Sequence, residues 1–258
     1  MEARFDGGQL DRLPDLAAEL VALRPDVIAA IGVVQCRAVQ RAASDIPILF
    51  AVVVDPVAVG LVSDLQRPGG NASGVTDFDP EQARGQIRIL KQALPGLQRL
   101  VILSDVGVPD ALLNANKAAA ETEGLRPQLL LLREAADLDG AFAAMRQQHA
   151  DALLALTVPY TTRHGARVAE MAVAARLPTM FGRDAARFGP LLAYGTGLAA
   201  ATRRMAGMVD RVLKGERPGD LPVEQVVEPE LLVNLRVARE IGVTLPQEIL
   251  SRARQVVE

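Results

Sequence analysis

The chain has no tryptophan, two tyrosines and six phenylalanines, so aromatics make up only 3% of its 258 residues. A sugar site built on stacked aromatic platforms has little to draw on in such a sequence. One cysteine, Cys36, excludes an intramolecular disulfide and reads as a small packed side chain. The two histidines, His149 and His164, lie far apart, and no His/Cys/carboxylate group has metal-ligand spacing, so no metal site is expected. No basic block stands out among 28 Lys and Arg against 31 Asp and Glu, net charge −3. Nucleic acid is therefore not an expected partner, because phosphate neutralisation needs clustered cations. Charge or proline interrupts every apolar run well short of the roughly 20 residues that span a bilayer. The opening "MEARFDGGQL" has neither the basic start nor the apolar run of a signal peptide.

What is present is alternation. Stretches with a period near 3.6 are followed by short runs of Val, Ile and Leu and then by turn residues. The first half reads as a helix in "DRLPDLAAELVAL", with Leu13, Leu16, Leu20 and Leu23 on one face. A strand at 26–32, a helix in "RAVQRAAS", a strand at 46–56, a short helix in "PVAVGLVSDL" and a strand at 72–78 come next. The same rhythm continues with a helix at 80–94, a strand at 99–105, a helix at 110–124 and a strand at 126–132. "LDGAFAAMRQQ" reads as a helix, 151–157 as a strand, "TRHGARVAEMAVAAR" as a helix and 177–182 as a strand. Residues 191–197 read as a strand, 198–215 as a long helix and 217–227 as a turn and strand. The tail holds a strand-like "LLVNL" and two helices. Strands alternating with helices at this spacing predict an α/β protein with parallel sheets covered on both faces.

One glycine pair needs a decision. "QRPGGNASGVT" sets Gly69 and Gly70 after a helix and before a strand. A dinucleotide fingerprint has the opposite order, and a phosphate loop ends in a Lys–Ser/Thr pair that is missing here. The stretch reads as a turn, and no nucleotide or other cofactor is implied.

Several blocks, in order, resemble one family. "DIPILFAVVVDPVAVGLV", "RPGGNASGVT", "LPTMFG" followed by "LLAYG", and the tail from "DLPVEQVV" to the end are similar to the bacterial ABC-transporter substrate-binding proteins that include tryptophan- and tyrosine-type binders. The resemblance implies a type I periplasmic-binding fold: two Rossmann-like lobes joined by three crossings, with a solute held in the cleft between them. It implies lobe one at 1–78 and 191–228 and lobe two at 79–190 and 229–258. It further implies a hydrophobic or aromatic amino acid or related carboxylate as ligand, permease subunits as partners, and no catalysis.

Ligands of parallel α/β sheets meet the carboxyl ends of the strands. That rule nominates Gly32, Val33, Gln35, Asp55, Pro56, Thr76 and Asp77 in the first lobe. In the second it nominates Ser104, Asp105, Thr157, Val158, Tyr160, Phe181 and Gly182, with Tyr194, Gly195 and Thr196 at the returning crossing. Hydroxyls of Thr76 and Thr196 and backbone near Gly32 and Gly195 suit a carboxylate; Asp55 and Asp105 suit an ammonium; Tyr160, Phe181 and Tyr194 suit an apolar side chain. Asp55-Pro56 equally suits a helix start. Val158 stands where family members often carry Asp, which removes one natural ammonium partner.

The resemblance begins only at the end of the family's second strand. An unpaired side on 26–32 follows, to be filled by "EARF" or by a second copy in a homodimer. The parent family is periplasmic; with Met1 as the natural start the chain stays in the cytoplasm. Two other readings remain at this level: a Rossmann-like enzyme with Asp55 or Asp105 as base, and a ligand-sensing domain without its own DNA-binding segment.

Overall fold

A computed structural model describes residues 1–7, 9–53, 55–77, 79 and 81–258. The expected spans that include Val54, Phe78 and Pro80 pass at those positions outside the described residues. In chain order the elements are α1 (Leu13–Ala22), β1 (Ile28–Ile31), α2 (Val33–Ala42), β2 (Ile48–Ala51), β3 (Ala72–Thr76) and α3 (Gln82–Ala93). β4 (Arg99–Asp105), α4 (Asp110–Thr122), β5 (Arg126–Leu132), α5 (Asp137–Gln147) and β6 (Ala152–Ala155) follow. Then come α6 (Pro159–Arg163), α7 (Gly165–Ala174), β7 (Thr179–Gly182), β8 (Leu192–Thr196) and α8 (Leu198–Leu213). The chain closes with β9 (Glu224–Gln225), β10 (Pro229–Asn234), α9 (Leu235–Ile241), α10 (Gln247–Arg252) and β11 (Gln255–Val257).

Contacts divide the chain into two units, Met1–Asp79 with Thr196–Glu228, and Pro80–Gly195 with Pro229–Glu258. The second unit keeps Leu191–Gly195, which the sequence assigns to lobe one. The reason is pairing: β8 is the parallel neighbour of β7, with Gly182 beside Tyr194.

The first unit carries a sheet in the order β1-β2-β3-β9, all pairs parallel. One face packs Ile28, Ala30, Ile48 and Phe50 against Cys36 and Val39 of α2 and Ala17 of α1. The other packs Leu49, Ala51 and Val75 against Ala201, Met205, Met208 and Val212 of α8. Strands buried on both faces cannot alternate, which is why Ile48–Ala51 is a continuous apolar run. On α1 the buried pair is Leu16 and Ala17, while Leu23 is exposed, so the expected leucine face ends before it.

β1 is an edge strand whose Ala29 and Ile31 are exposed. The "EARF" segment does not fill that edge. It forms no strand; Arg4 instead holds Glu19 at 2.7 Å, and Asp6 receives Gln35 at 3.3 Å.

The chain bends at the glycine pair, although the helix expected before it does not form. Gly69 sits at φ +80° and Asn71 Nδ2 donates to the carbonyls of Ala43 and Ile46. No helix forms over "PVAVGLVSDL". Asp55 Oδ1 accepts from Ala58 N, the Pro56 carbonyl accepts from both Leu61 and Val62, and Gly60 at φ +68° reverses the chain. Local hydrogen bonds of this kind compete with a helical ladder and win here.

The second unit carries seven strands in the order β11-β10-β8-β7-β6-β4-β5. β4 is buried from Leu100 to Asp105, with Leu100 and Ile102 in one core layer and Val101 and Leu103 in the other. α3 lays Ile87, Leu90 and Ala93 into the first layer, and α5 lays Leu138, Phe142 and Met145 into the second. One expectation fails. The helix expected over 162–176 starts earlier, at Pro159, and breaks at His164 into α6 and α7. The tail forms a strand and two helices, β10, α9 and α10, and its end adds β11 parallel to β10.

Candidate functional site

The candidates form two groups, one in each unit. In the first unit Gly32 ends β1 and opens α2. Its φ of +97° and a position where a Cβ would lie 2.6 Å from Gln35 Oε1 leave room for glycine alone. Gly32 N donates to Ala51 O, locking the start of α2 to the end of β2. Val33 is the first residue of α2, and Gln35 spends its amide on Asp6. Thr76 is buried at the end of β3 with its carbonyl accepting from Val226 N, and Asp77 follows half-buried. Asp55 is exposed but serves Ala58 N, and Pro56 is buried; the helix-start reading becomes a turn-cap reading. Thr196 Oγ1 accepts from Glu228 N at 3.0 Å, which ties two of the crossing segments together within this unit.

In the second unit the strand ends converge on α6. Asp105, 5% exposed, accepts from the backbone N–H of Tyr160 and, at 3.1 Å, of Thr161. Its carboxylate therefore caps the first turn of α6. Burial pushes its pKa above the ordinary Asp value, against the two N–H bonds and the nearby His164, which pull it down. Thr161, which no strand-end rule nominates, is buried behind it and donates to the Leu156 carbonyl. Tyr160 faces His164, ring centres 5.6 Å apart and tilted by 31°. His164 closes α6 and opens α7.

Thr157 is exposed just past β6 and makes no side-chain hydrogen bond among the described residues. A Cβ on Gly182, at the end of β7, would lie 2.0 Å from Thr157 Oγ1. Glycine at 182 is what lets this hydroxyl stand between two strand ends.

Three nominated side chains turn elsewhere. Phe181 is 2% exposed in the core layer with Leu153 and Val168, so it walls no solvent-facing site. Tyr194 packs its ring on α3, where a Cβ on Gly85 would come within 2.8 Å of it. Ser104 is fully buried and its Oγ has no partner among the described residues. Two unnominated residues of α3 lie against the 194–195 backbone instead, and one of them bonds it. Gln86 Nε2 donates to the Tyr194 carbonyl at 3.0 Å, and Gln82 Oε1 lies 2.7 Å from where a Cβ on Gly195, at φ +144°, would be. Their i, i+4 spacing on α3 was the available signal, hidden because it looks like an ordinary polar face.

The arrangement offers hydroxyl and backbone donors, one aromatic pair and one buried carboxylate, that of Asp105, already engaged by N–H groups. Among the described residues no cluster has the make-up of a metal site, and no helix is long and apolar enough to cross a membrane.

Residues 6–257 match the family model described as ABC transporter substrate binding protein. A curated relative, the tyrosine-binding protein of Clostridioides difficile (strain R20291), is 23% identical over 229 residues. That match covers 85% of this chain and 64% of the relative, so the chain spans under two thirds of that protein's length. Among solved structures, an ABC domain from Streptococcus pneumonia in complex with L-Trp has a TM-score of 0.84 at 24% identity, covering 97% of this chain and 87% of the other. A conserved domain protein from Vibrio cholerae has a TM-score of 0.85 at 25% identity, covering 96% and 83%. These likenesses carry the type I periplasmic-binding fold. The family-model match extends over nearly every residue, and the chain belongs to the ABC transporter substrate-binding protein family.

Proposed function

We propose that this chain is the solute-capturing component of an ABC import system, and that its ligand is a hydrophobic or aromatic amino acid or a related carboxylate. The family match over residues 6–257 is the observation that carries the reading. Relatives described as tyrosine-binding or complexed with L-Trp support the ligand class. Each unit offers binding groups at its own strand ends. In the first, the backbone opening α2 beside Gly32, Val33 and Gln35 and the Thr76–Asp77 corner suit the carboxylate end. In the second, Thr157 supplies a hydroxyl, and the Tyr160–His164 pair supplies a flat surface. Asp105 acts from behind, holding α6 in place. Val158 is 8% exposed and apolar, so an ammonium group finds less support here than a carboxylate does. The loaded protein hands its ligand to permease subunits.

The test is a thermal-shift series with L-Tyr, L-Trp, L-Phe and their 2-oxo-acid counterparts. Saturation at about one hundred times the dissociation constant adds roughly 2.7 kcal/mol of stability. A stabilised chain with unchanged ligand is the expected result, with the oxo acids at least as effective as the amino acids. No shift from any of the six overturns the ligand class.

The second partner is another copy of this chain, placed at the free edge of β1. Ile28 N and Gly32 N donate toward β2, so by strand alternation the backbone groups of Ala29 and Ile31 point away from it. Residues 27–32 carry no charge or proline to discourage strand addition.

A further inference from the structure

The second unit holds a cavity of about 380 Å³ that shares no lining residue with the candidates above. Its size falls in the range of small-molecule sites. Asn234 N donates to Leu191 O, which brings the end of β10 beside the start of β8; the cavity lies there, at the opposite end of β8 from Thr196. Leu232, Val233, Ala193, Pro190 and Val257 give it apolar walls. Arg183, Asp184, Arg187, Asn234 and Gln255 give it polar groups.

Those polar groups are not equally occupied. Arg183 is committed to Glu230 at 2.9 Å and to Asp184 at 3.5 Å. Arg187 donates only to the Asp184 carbonyl at 3.3 Å and rests over the Phe188 ring, 4.6 Å from its centre. It has no carboxylate partner among the described residues. Asn234 uses Oδ1 to cap α9, accepting from Val237 N at 3.0 Å, so the side chain is fixed and its Nδ2 donor meets no acceptor among the described residues. One guanidinium and one anchored amide thus remain unspent beside an apolar wall.

We infer that this cavity is a separate binding site for a small aliphatic monocarboxylate, with Arg187 and the Asn234 amide as its donors. The planar fork of Arg187 matches a carboxylate. A doubly charged phosphate faces the carboxylates of Asp184 and, through Arg183, Glu230, and is disfavoured. The walls are branched and aliphatic, which suits a short alkyl chain. Because Arg187 is exposed, the contact is screened and the affinity is modest, of about millimolar order.

The experiment is a nitrogen-15 NMR titration of the whole chain with hexanoate up to about 10 mM, where a millimolar site is largely filled. The expected result is saturable movement of the Arg187 Nε–H and Asn234 Nδ2–H signals. Arg187→Gln, an exposed substitution whose remaining spectrum reports the fold, weakens the response of the retained Asn234 Nδ2–H signals about tenfold. Hexanamide, with the same tail and no charge, leaves the signals in place. Signals that stay still with hexanoate, respond equally to hexanamide, or move undiminished in Arg187→Gln overturn the assignment. Signals from Thr157, Tyr160 and Gly182 in the same spectra report the candidate site separately, so the failure of one reading is told from the failure of the other.

Discussion

At the scale of single residues, the two glycines that end strands do different things. Gly32 is required by its own backbone, whereas Gly182 is required by a neighbour, the Thr157 hydroxyl. Gly182→Ala is expected to cost about 1–3 kcal/mol in urea unfolding, because the added methyl displaces Thr157. Combining it with Thr157→Ala removes the obstructing oxygen and restores most of the loss; an equal cost in the double variant refutes the contact. Asp105 gives a pH test. Burial raises its pKa, so the folded state holds the proton more tightly than the unfolded chain. That contribution is complete below the ordinary Asp pKa and is lost as pH rises through the raised value. Asp105→Asn removes the titration along with one N–H acceptor. The urea midpoint of wild type should therefore fall relative to that of the variant as pH rises across that window, and a constant gap refutes the sign. Asp105 was legible in the sequence as a strand-end carboxylate. That its oxygens are taken by Tyr160 and Thr161 was not, because those donors lie 55 and 56 residues further along the chain.

At the scale of elements, β4 and β5 match their sequence spans residue for residue: β4 is an apolar run buried on both faces, and β5, half-buried at the sheet edge, pairs with it along its whole length. The stretch after Asp55 fails as a helix although its apolar spacing permits one, because Gly60 and a side-chain cap offered the backbone a closer set of partners. β11 was invisible as a strand because three residues carry no period, and only pairing with Leu232–Asn234 makes them one. β1 provides the element-level prediction. Ile31→Lys places a charge on the free edge and should convert a dimer to a monomer in analytical ultracentrifugation, with little change in unfolding midpoint. A wild-type chain that sediments as a monomer at every concentration tested ends the edge-pairing proposal.

At the scale of the molecule, the proposed capture of a solute predicts where protection appears. With the stabilising ligand from the thermal series present, hydrogen exchange should slow at the start of α2 and at Thr76 in the first unit, and around Thr157–Thr161 in the second. No slowing at either set of strand ends overturns the proposed site. The sequence by itself determined the α/β class, the strand–helix rhythm, the bend at Gly69–Gly70 and the family, because periodicity, turn chemistry and ordered motif blocks are all properties of nearby residues. Tertiary structure alone decided that Phe181 and Tyr194 pack inward, that Gln86 holds the Tyr194 carbonyl, that β8 sides with the second unit, and that Arg187 and Asn234 face one cavity. Each of those depends on which distant segments a side chain meets. Distance along the chain says nothing of that until the sheets have fixed their order.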